Sequence, residues 1–332
     1  MKPCIRILFL CLSTVILFSL EARTAPIPVI FDTDIGSDID DTWALSLLLC
    51  SPELDLKMVV TDSHDTTARA KIVAKFLEQV GRTDVEIGIG VKTKDIKVPQ
   101  AKWADDYDLS QYPGKVHEDG IQAMIDTIQN SPEAIRLLVV GPCPNIPILL
   151  QKYPDMVNRV SVYAMSGSVY KGYGDRPSPD AEYNIREDIA ASQKMYKASW
   201  KLTITPLDTC GIVSLMGSPY QELIQMQNKS PLIRALFENY NVWTKETKNS
   251  TDPANRSTIL FDTVAVYLAI ENSLCKMEDL NLVVDDRGYT VIDPKGQTVS
   301  TATQWNDLEA YQKWLIARLE AGVVKKKAKA EK

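Results

Sequence analysis

The chain has 332 residues, 45% of them apolar, with 37 basic against 43 acidic side chains and a formal net charge of −6. That is ample apolar material for a buried core, as one large α/β domain or two smaller ones. The acidic balance argues against a nucleic-acid partner, and no repeat or low-complexity tract interrupts the chain before its tail.

Lys2 and Arg6 precede an apolar run from Ile7 to Leu20, and the small residues Ala22, Thr24 and Ala25 follow. This pattern predicts a signal peptide over residues 1–25, cleaved after Ala22 or Ala25, and hence a secreted or periplasmic protein. The run is short for a span, so no stable membrane insertion is expected after cleavage. Cys50, Cys143, Cys210 and Cys275 would remain. Free buried thiols are the expectation, with one or two disulfides open to an oxidising compartment. No Cys-x-x-Cys is present, which argues against zinc.

The next stretch runs from Pro28 through Asp32, Asp34, Asp38, Asp40 and Asp41: an apolar run, then five aspartates within ten residues. An amphipathic run from Thr42 to Cys50 follows, so the order is strand, tight acidic loop, helix. One or two aspartates there would be helix caps. Five repel one another unless something positive sits among them, and a divalent cation with oxygen ligands would serve.

Further along, apolar strands are expected at Leu56–Val60, Glu86–Gly90, Ile135–Val140, Val160–Met165 and Leu202–Pro206. Helices are expected at Ala68–Val80, Ile121–Gln129, Ile146–Gln151 and Asp188–Ser199, and over most of Pro219–Ile270. Residues 92–119 form a long charged and aromatic connection, of a length that is often functional. Leu282–Val284 and Tyr289–Ile292 read as an antiparallel pair, and Trp305–Leu319 as a closing helix.

Repeated strand-loop-helix units predict a single large α/β domain over residues 26–322, with a mostly parallel central sheet flanked by helices and a basic, frayed tail over 323–332. In such sheets the ligand crevice lies outside the carboxyl ends of the strands. Asp34, Asp62 or Asp65, Asn145 and the Glu182/Asn184 loop all fall at such ends.

Asp32-Thr33-Asp34-Ile35-Gly36 followed by Ile39-Asp40-Asp41 resembles the aspartate-rich fingerprint of the nucleoside hydrolase family, with a spacer two residues longer. Four more landmarks match in order. Gly141-Pro142-Cys143-Pro144-Asn145-Ile146 is similar to that family's Gly-Pro-Leu-Thr-Asn-Ile, and Met165-Ser166-Gly167 to its Met-Gly-Gly. Glu182-Tyr183-Asn184 matches its Glu-Phe-Asn, and Phe261-Asp262-Thr263-Val264-Ala265 resembles its late His-Asp-x-x-Ala.

The resemblance implies a Rossmann-related fold, a bound Ca²⁺ and hydrolysis of the N-glycosidic bond of ribonucleosides. Asp34, Asp41, Asp262 and the main-chain carbonyl of Pro144 would hold the Ca²⁺. Asp34 would also act as general base towards a Ca-bound water. Asp40 would grip the ribose hydroxyls, assisted by Glu182 and Asn184, with Met165, His117 and Asp65 also at the substrate. The family is commonly dimeric or tetrameric, so a homodimer or homotetramer is the expected assembly.

The chemistry agrees with the residue types. Breaking an N-glycosidic bond builds positive charge on the ribose, which carboxylates stabilise. Ca²⁺ takes several oxygen ligands, which this chain supplies. The main departure is Phe261, where some members of the family carry a histidine proposed to protonate the leaving base. Two alternatives follow. One is a non-catalytic nucleoside or sugar binder of the same fold. The other is a haloacid-dehalogenase-type phosphatase using Asp32 and Asp34, although Gly36 departs from that pattern and the Asp38/Asp40/Asp41 run has no use there. Trp103, Tyr107, Tyr240 and Trp243 are candidates for stacking on a base.

Overall fold

From Pro28 onward every side chain of β1 (Ile27–Thr33) is buried. Val29 and Phe31 enter one hydrophobic core and Ile30 enters the other, because alternate side chains leave opposite faces of a strand. A strand apolar on both faces must be covered on both, and helices do so throughout this computed structural model, which describes residues 25–324.

After β1 come helix α1 (Asp40–Leu49), β2 (Leu54–Thr61), α2 (Thr66–Gln79), β3 (Glu86–Ile89), the short β4 (Val116–His117) and α3 (Gly120–Asn130). The chain continues through β5 (Ile135–Val139), α4 (Asn145–Lys152), β6 (Val160–Met165), α5 (Tyr183–Glu187), α6 (Ile189–Lys197) and β7 (Lys201–Thr205). A helical stretch follows: α7 (Leu207–Cys210), α8 (Gly217–Gln225), α9 (Pro231–Thr247) and α10 (Thr263–Leu268). The end is β8 (Cys275–Val284), β9 (Thr290–Ile292), β10 (Gln297–Trp305) and α11 (Leu308–Ala321).

All ten strands join one sheet in the order β4-β3-β2-β1-β5-β6-β7-β10-β8-β9. Pairing is parallel from β4 through to β10, and antiparallel from β10 to β8 and β8 to β9. The chain leaves β1 in one direction to β2, β3 and β4, then returns to build β5, β6 and β7 on the other side. The reversal between β1 and β5 is a topological switch point, where a crevice opens beyond the carboxyl ends of the strands.

The expected single α/β domain with a mostly parallel sheet is what forms. Two local expectations need correction. The first helix starts at Asp40 rather than Thr42, so two of the aspartates lie in its first turn. The closing helix starts at Leu308, because Gln297–Trp305 is a strand. That strand escaped the apolar pattern because Thr301 and Thr303 are among its buried residues. Within it the Thr301 hydroxyl donates to the Val299 carbonyl at 3.1 Å, which satisfies the buried polar group.

The expected signal peptide lies outside the described residues, apart from Ala25, and so do residues 325–332 of the expected tail. Val324 is tied down, donating its N–H to the Leu49 carbonyl at 2.9 Å. Cys50, Cys143, Cys210 and Cys275 are all buried and unpaired. Among the described residues no helix is long and apolar enough to cross a membrane.

Candidate active site

The loop between β1 and α1 is held from three sides. Gly36 takes a φ of 113°, a region costly for any residue with a Cβ. Arg69 on α2, fully buried, donates to the carbonyls of Asp34 and Ile35 and to the Ser37 hydroxyl, and stands 3.7 Å from the Asp34 carboxylate. Gln100, from the long connection after β3, donates to the Asp38 carbonyl and accepts from the Thr42 hydroxyl. Trp243 on α9 donates its indole N–H to the Ser37 carbonyl at 2.9 Å.

This bracing presents the aspartates to one cleft of about 480 Å³, open mouth included. Its walls include Asp34, Asp38, Asp40, Asp41, Val140, Met165, Glu182, Asn184 and Asp262. Carboxylate oxygens of Asp40, Asp41 and Asp262 lie within 4.8 Å of one another, all three buried. The Thr33 hydroxyl donates to Asp41. Burial first, and mutual repulsion second, push all three carboxyls well above the usual range. The donor set is oxygen throughout and too crowded to ionise alone, which fits a hard divalent cation.

The facing wall is built by α5. Glu182 caps this helix, accepting from the N–H groups of Asn184, Ile185 and Gly167 at 2.7, 3.3 and 3.2 Å. Burial pushes its carboxyl up to about 7. The Asn184 amide donates to the carbonyls of Val140 and Met165, at 2.8 and 3.3 Å, which fixes the side chain and leaves its oxygen uncommitted. Asp38 is partly exposed, with one oxygen on the Ile39 N–H at 2.6 Å, and burial raises its carboxyl to about 6.

Aromatic rings complete the enclosure. Tyr173, Tyr183 and Phe261 line the cleft, with Tyr173 edge-on to Phe261 at 6.3 Å and its phenol oxygen accepting the Tyr183 N–H at 2.9 Å. The loop carrying Tyr173 hangs on two carboxylates. Asp208 accepts the N–H groups of Val169, Tyr170 and Lys171, and Asp180 accepts that of Tyr173.

A family model described as inosine-uridine preferring nucleoside hydrolase matches residues 29–314. The chain belongs to that family. The non-specific ribonucleoside hydrolase RihC of Klebsiella pneumoniae subsp. pneumoniae is 25% identical over 307 residues, covering 87% of this chain and 96% of the relative. RihC of Salmonella agona is 24% identical over 315 residues, 88% of this chain and 97% of the relative. Among solved structures, a purine-preferring ribonucleoside hydrolase from Gardnerella vaginalis superposes with a TM-score of 0.71 at 20% identity, over 88% of this chain and 98% of its own. An inosine-uridine preferring nucleoside hydrolase from Bacillus anthracis gives 0.69 at 18% identity, over 89% and 99%.

The expected residues separate into two groups. Asp34, Asp40, Asp41, Met165, Glu182, Asn184 and Asp262 all line the cleft. Pro144, Asp65 and His117 do not. Pro144 is the N-cap residue of α4, a position whose carbonyl faces into its own helix, while Val140 at the end of β5 lines the cleft. Asp65 caps α2, accepting the Ala68 N–H at 3.0 Å. His117 lies in β4 and faces a separate groove, with Nε2 2.6 Å from Glu86.

Asp32 is fully buried, bonded to Asn145 at 2.7 Å and absent from the cleft wall, which overturns the phosphatase alternative: its nucleophile would be out of reach. The four aromatic candidates also stand elsewhere. Trp103 packs on Phe76, Tyr107 bonds Glu78, Tyr240 accepts the Thr258 N–H, and Trp243 braces the acidic loop. Arg69, Gln100, Asp208 and the Tyr173 ring were not singled out from sequence.

Proposed function

We propose that the chain hydrolyses the N-glycosidic bond of ribonucleosides, releasing ribose and a free base, with Ca²⁺ as cofactor. One observation carries this reading. Seven residues from four separate stretches of chain, Asp34, Asp40, Asp41, Met165, Glu182, Asn184 and Asp262, converge on one cleft at the switch point of the sheet. The names of the RihC relatives, non-specific ribonucleoside hydrolases, support the same substrate class.

Asp34, Asp41 and Asp262 would hold the cation, with the Val140 carbonyl in place of that of Pro144. When bound, the cation would orient a water and lower its pKa. Asp34 then takes the water proton, its position fixed by Arg69. Asp40 accepts from the ribose hydroxyls, and the uncommitted oxygen of Asn184 does likewise. Glu182 adds negative charge beside the sugar as positive charge develops there. Acceptors of this kind favour ribose, with two vicinal hydroxyls, over deoxyribose.

A second reading, a binder of nucleosides that does not cleave them, is favoured by one observation: Phe261 occupies the place of a leaving-group histidine and packs on Tyr173. Ribose release from a nucleoside panel, with and without EDTA, separates the two. Release that stops on chelation supports the enzyme. Tight binding with no release from any riboside supports the binder.

A further inference from the structure

The cleft contains six carboxyl groups, from Asp34, Asp38, Asp40, Asp41, Glu182 and Asp262, and three aromatic rings, from Tyr173, Tyr183 and Phe261. No histidine, lysine or arginine lines it among the described residues. The chain has only two histidines, and both are committed elsewhere. His64 sits between Arg69 and Glu187, each at 3.3 Å. Both ring nitrogens are therefore engaged outside the cleft. His117 bonds Glu86 in the separate groove.

This matters for the leaving base. A neutral base such as hypoxanthine or uracil leaves as an anion unless a proton arrives as the bond breaks. The phenols here are weak donors: burial pushes Tyr183 up to about 12 and moves Tyr173 in the same direction. A base that already carries a fixed positive charge needs no proton. Its C1′–N bond breaks, the electron pair returns to the ring nitrogen, and the base departs neutral. Water forms the new C1′–O bond and gives its proton to Asp34. The sum is cationic riboside plus water to ribose, neutral base and one proton.

We propose that the preferred substrates are ribosides of cationic bases, N-alkylated purines or pyridinium rings, bound with the charged ring against Tyr173, Tyr183 and Phe261. This rests on the hydrolase reading above and narrows it. Aromatic faces attract a cationic ring. A lining of carboxyl groups with no cationic side chain suits a positive ligand.

The test compares kcat/KM for fixed-cation and neutral pairs at neutral pH: 7-methylinosine against inosine, and nicotinamide riboside against uridine. General-acid assistance contributes roughly 10²–10⁴-fold where it operates. The expected result is a preference of about 100-fold or more for the cationic member of each pair. A Phe261→His variant should raise the rate on inosine relative to that on 7-methylinosine by about 10-fold or more. Equal rates within a pair would overturn the proposal and leave the hydrolase reading intact. So would inosine hydrolysis lost selectively in Asp38→Asn, which would make Asp38 the acid. No release from any riboside, p-nitrophenyl riboside included, would overturn both readings; that substrate needs no acid and reports the water-activating half alone.

Discussion

The guanidinium of Arg69 stands 3.7 Å from the carboxylate of Asp34 and also donates to the main-chain carbonyl of the same residue. One buried side chain therefore fixes both the backbone and the charge of the proposed base. Removing one partner of a buried ion pair costs about 3–5 kcal/mol, since the other is left uncompensated. Arg69→Leu is expected to lose that much in urea unfolding. Arg69→Lys should recover little, because a single ammonium cannot serve the acceptors that a planar fork reaches.

Asp41 and Asp262 are expected to act as a unit. Asp41→Asn or Asp262→Asn should lower ribose release by at least about 100-fold. Each should also abolish the rise in melting temperature on adding Ca²⁺, because a ligand stabilises only the folded state that binds it. A variant that keeps the Ca²⁺ shift would show that the cation sits elsewhere.

The buried carboxyls set a pH dependence whose sign can be worked out. Burial raises Asp32 and Glu182 to about 7 and Asp38 to about 6, and lifts Asp40, Asp41 and Asp262 well above their usual values. A carboxyl whose folded pKa exceeds its unfolded value holds more protons in the native state. Its stabilising effect is complete below about pH 4 and is lost as pH rises through the folded pKa. In EDTA the melting temperature should fall between about pH 5 and pH 8. Ca²⁺ binds the deprotonated groups, so its stabilising shift should widen over the same window. Calorimetry at several pH values, with and without Ca²⁺, checks both trends.

Gly36 offers a local test of the acidic loop. A Cβ there would press on Val98 and come within 2.9 Å of Ile72, at a φ that side chains disfavour. Gly36→Ala should cost about 1–3 kcal/mol. It should reduce turnover more than it reduces stability, because the displaced atoms belong to the loop that carries Asp34 and Asp38. Parallel melting and kinetic measurements separate the two effects.

Asp208 holds a different loop. Its carboxylate takes three successive N–H groups, so Asp208→Ala strands those donors, at about 1–3 kcal/mol for each that water does not reach. The Tyr173 wall should loosen. A raised KM with a smaller change in kcat is expected, together with faster proteolysis between residues 168 and 181.

The sequence is most readable where chemistry is concentrated in short runs. Asp34, Asp40 and Asp41 stand out because acids seldom crowd a strand end, and Glu182, Asn184 and Asp262 through their neighbours. The residues that brace the site do not stand out. Arg69 on a helix reads as a solvated surface charge, since a fully buried arginine is rare. Its partners are main-chain carbonyls, which leave no trace in composition. The Pro144 and Val140 carbonyls differ only in which way the backbone turns at the end of β5. His117 looked like a substrate contact from its turn, but the pairing of β4 with β3 carries it to Glu86. In each case a long-range register or packing contact made the decision.

The place of β10 has a consequence for how the molecule assembles. Residues 297–305 wedge between β7 and β8, so the sheet closes only when nearly the whole chain is present. Pairings so distant in sequence form slowly, because the intervening loop must be ordered first. Until then β7 exposes an open edge, ready to pair with another chain. Catalytic competence and freedom from aggregation thus depend on a late threonine-rich strand that touches none of the proposed chemistry.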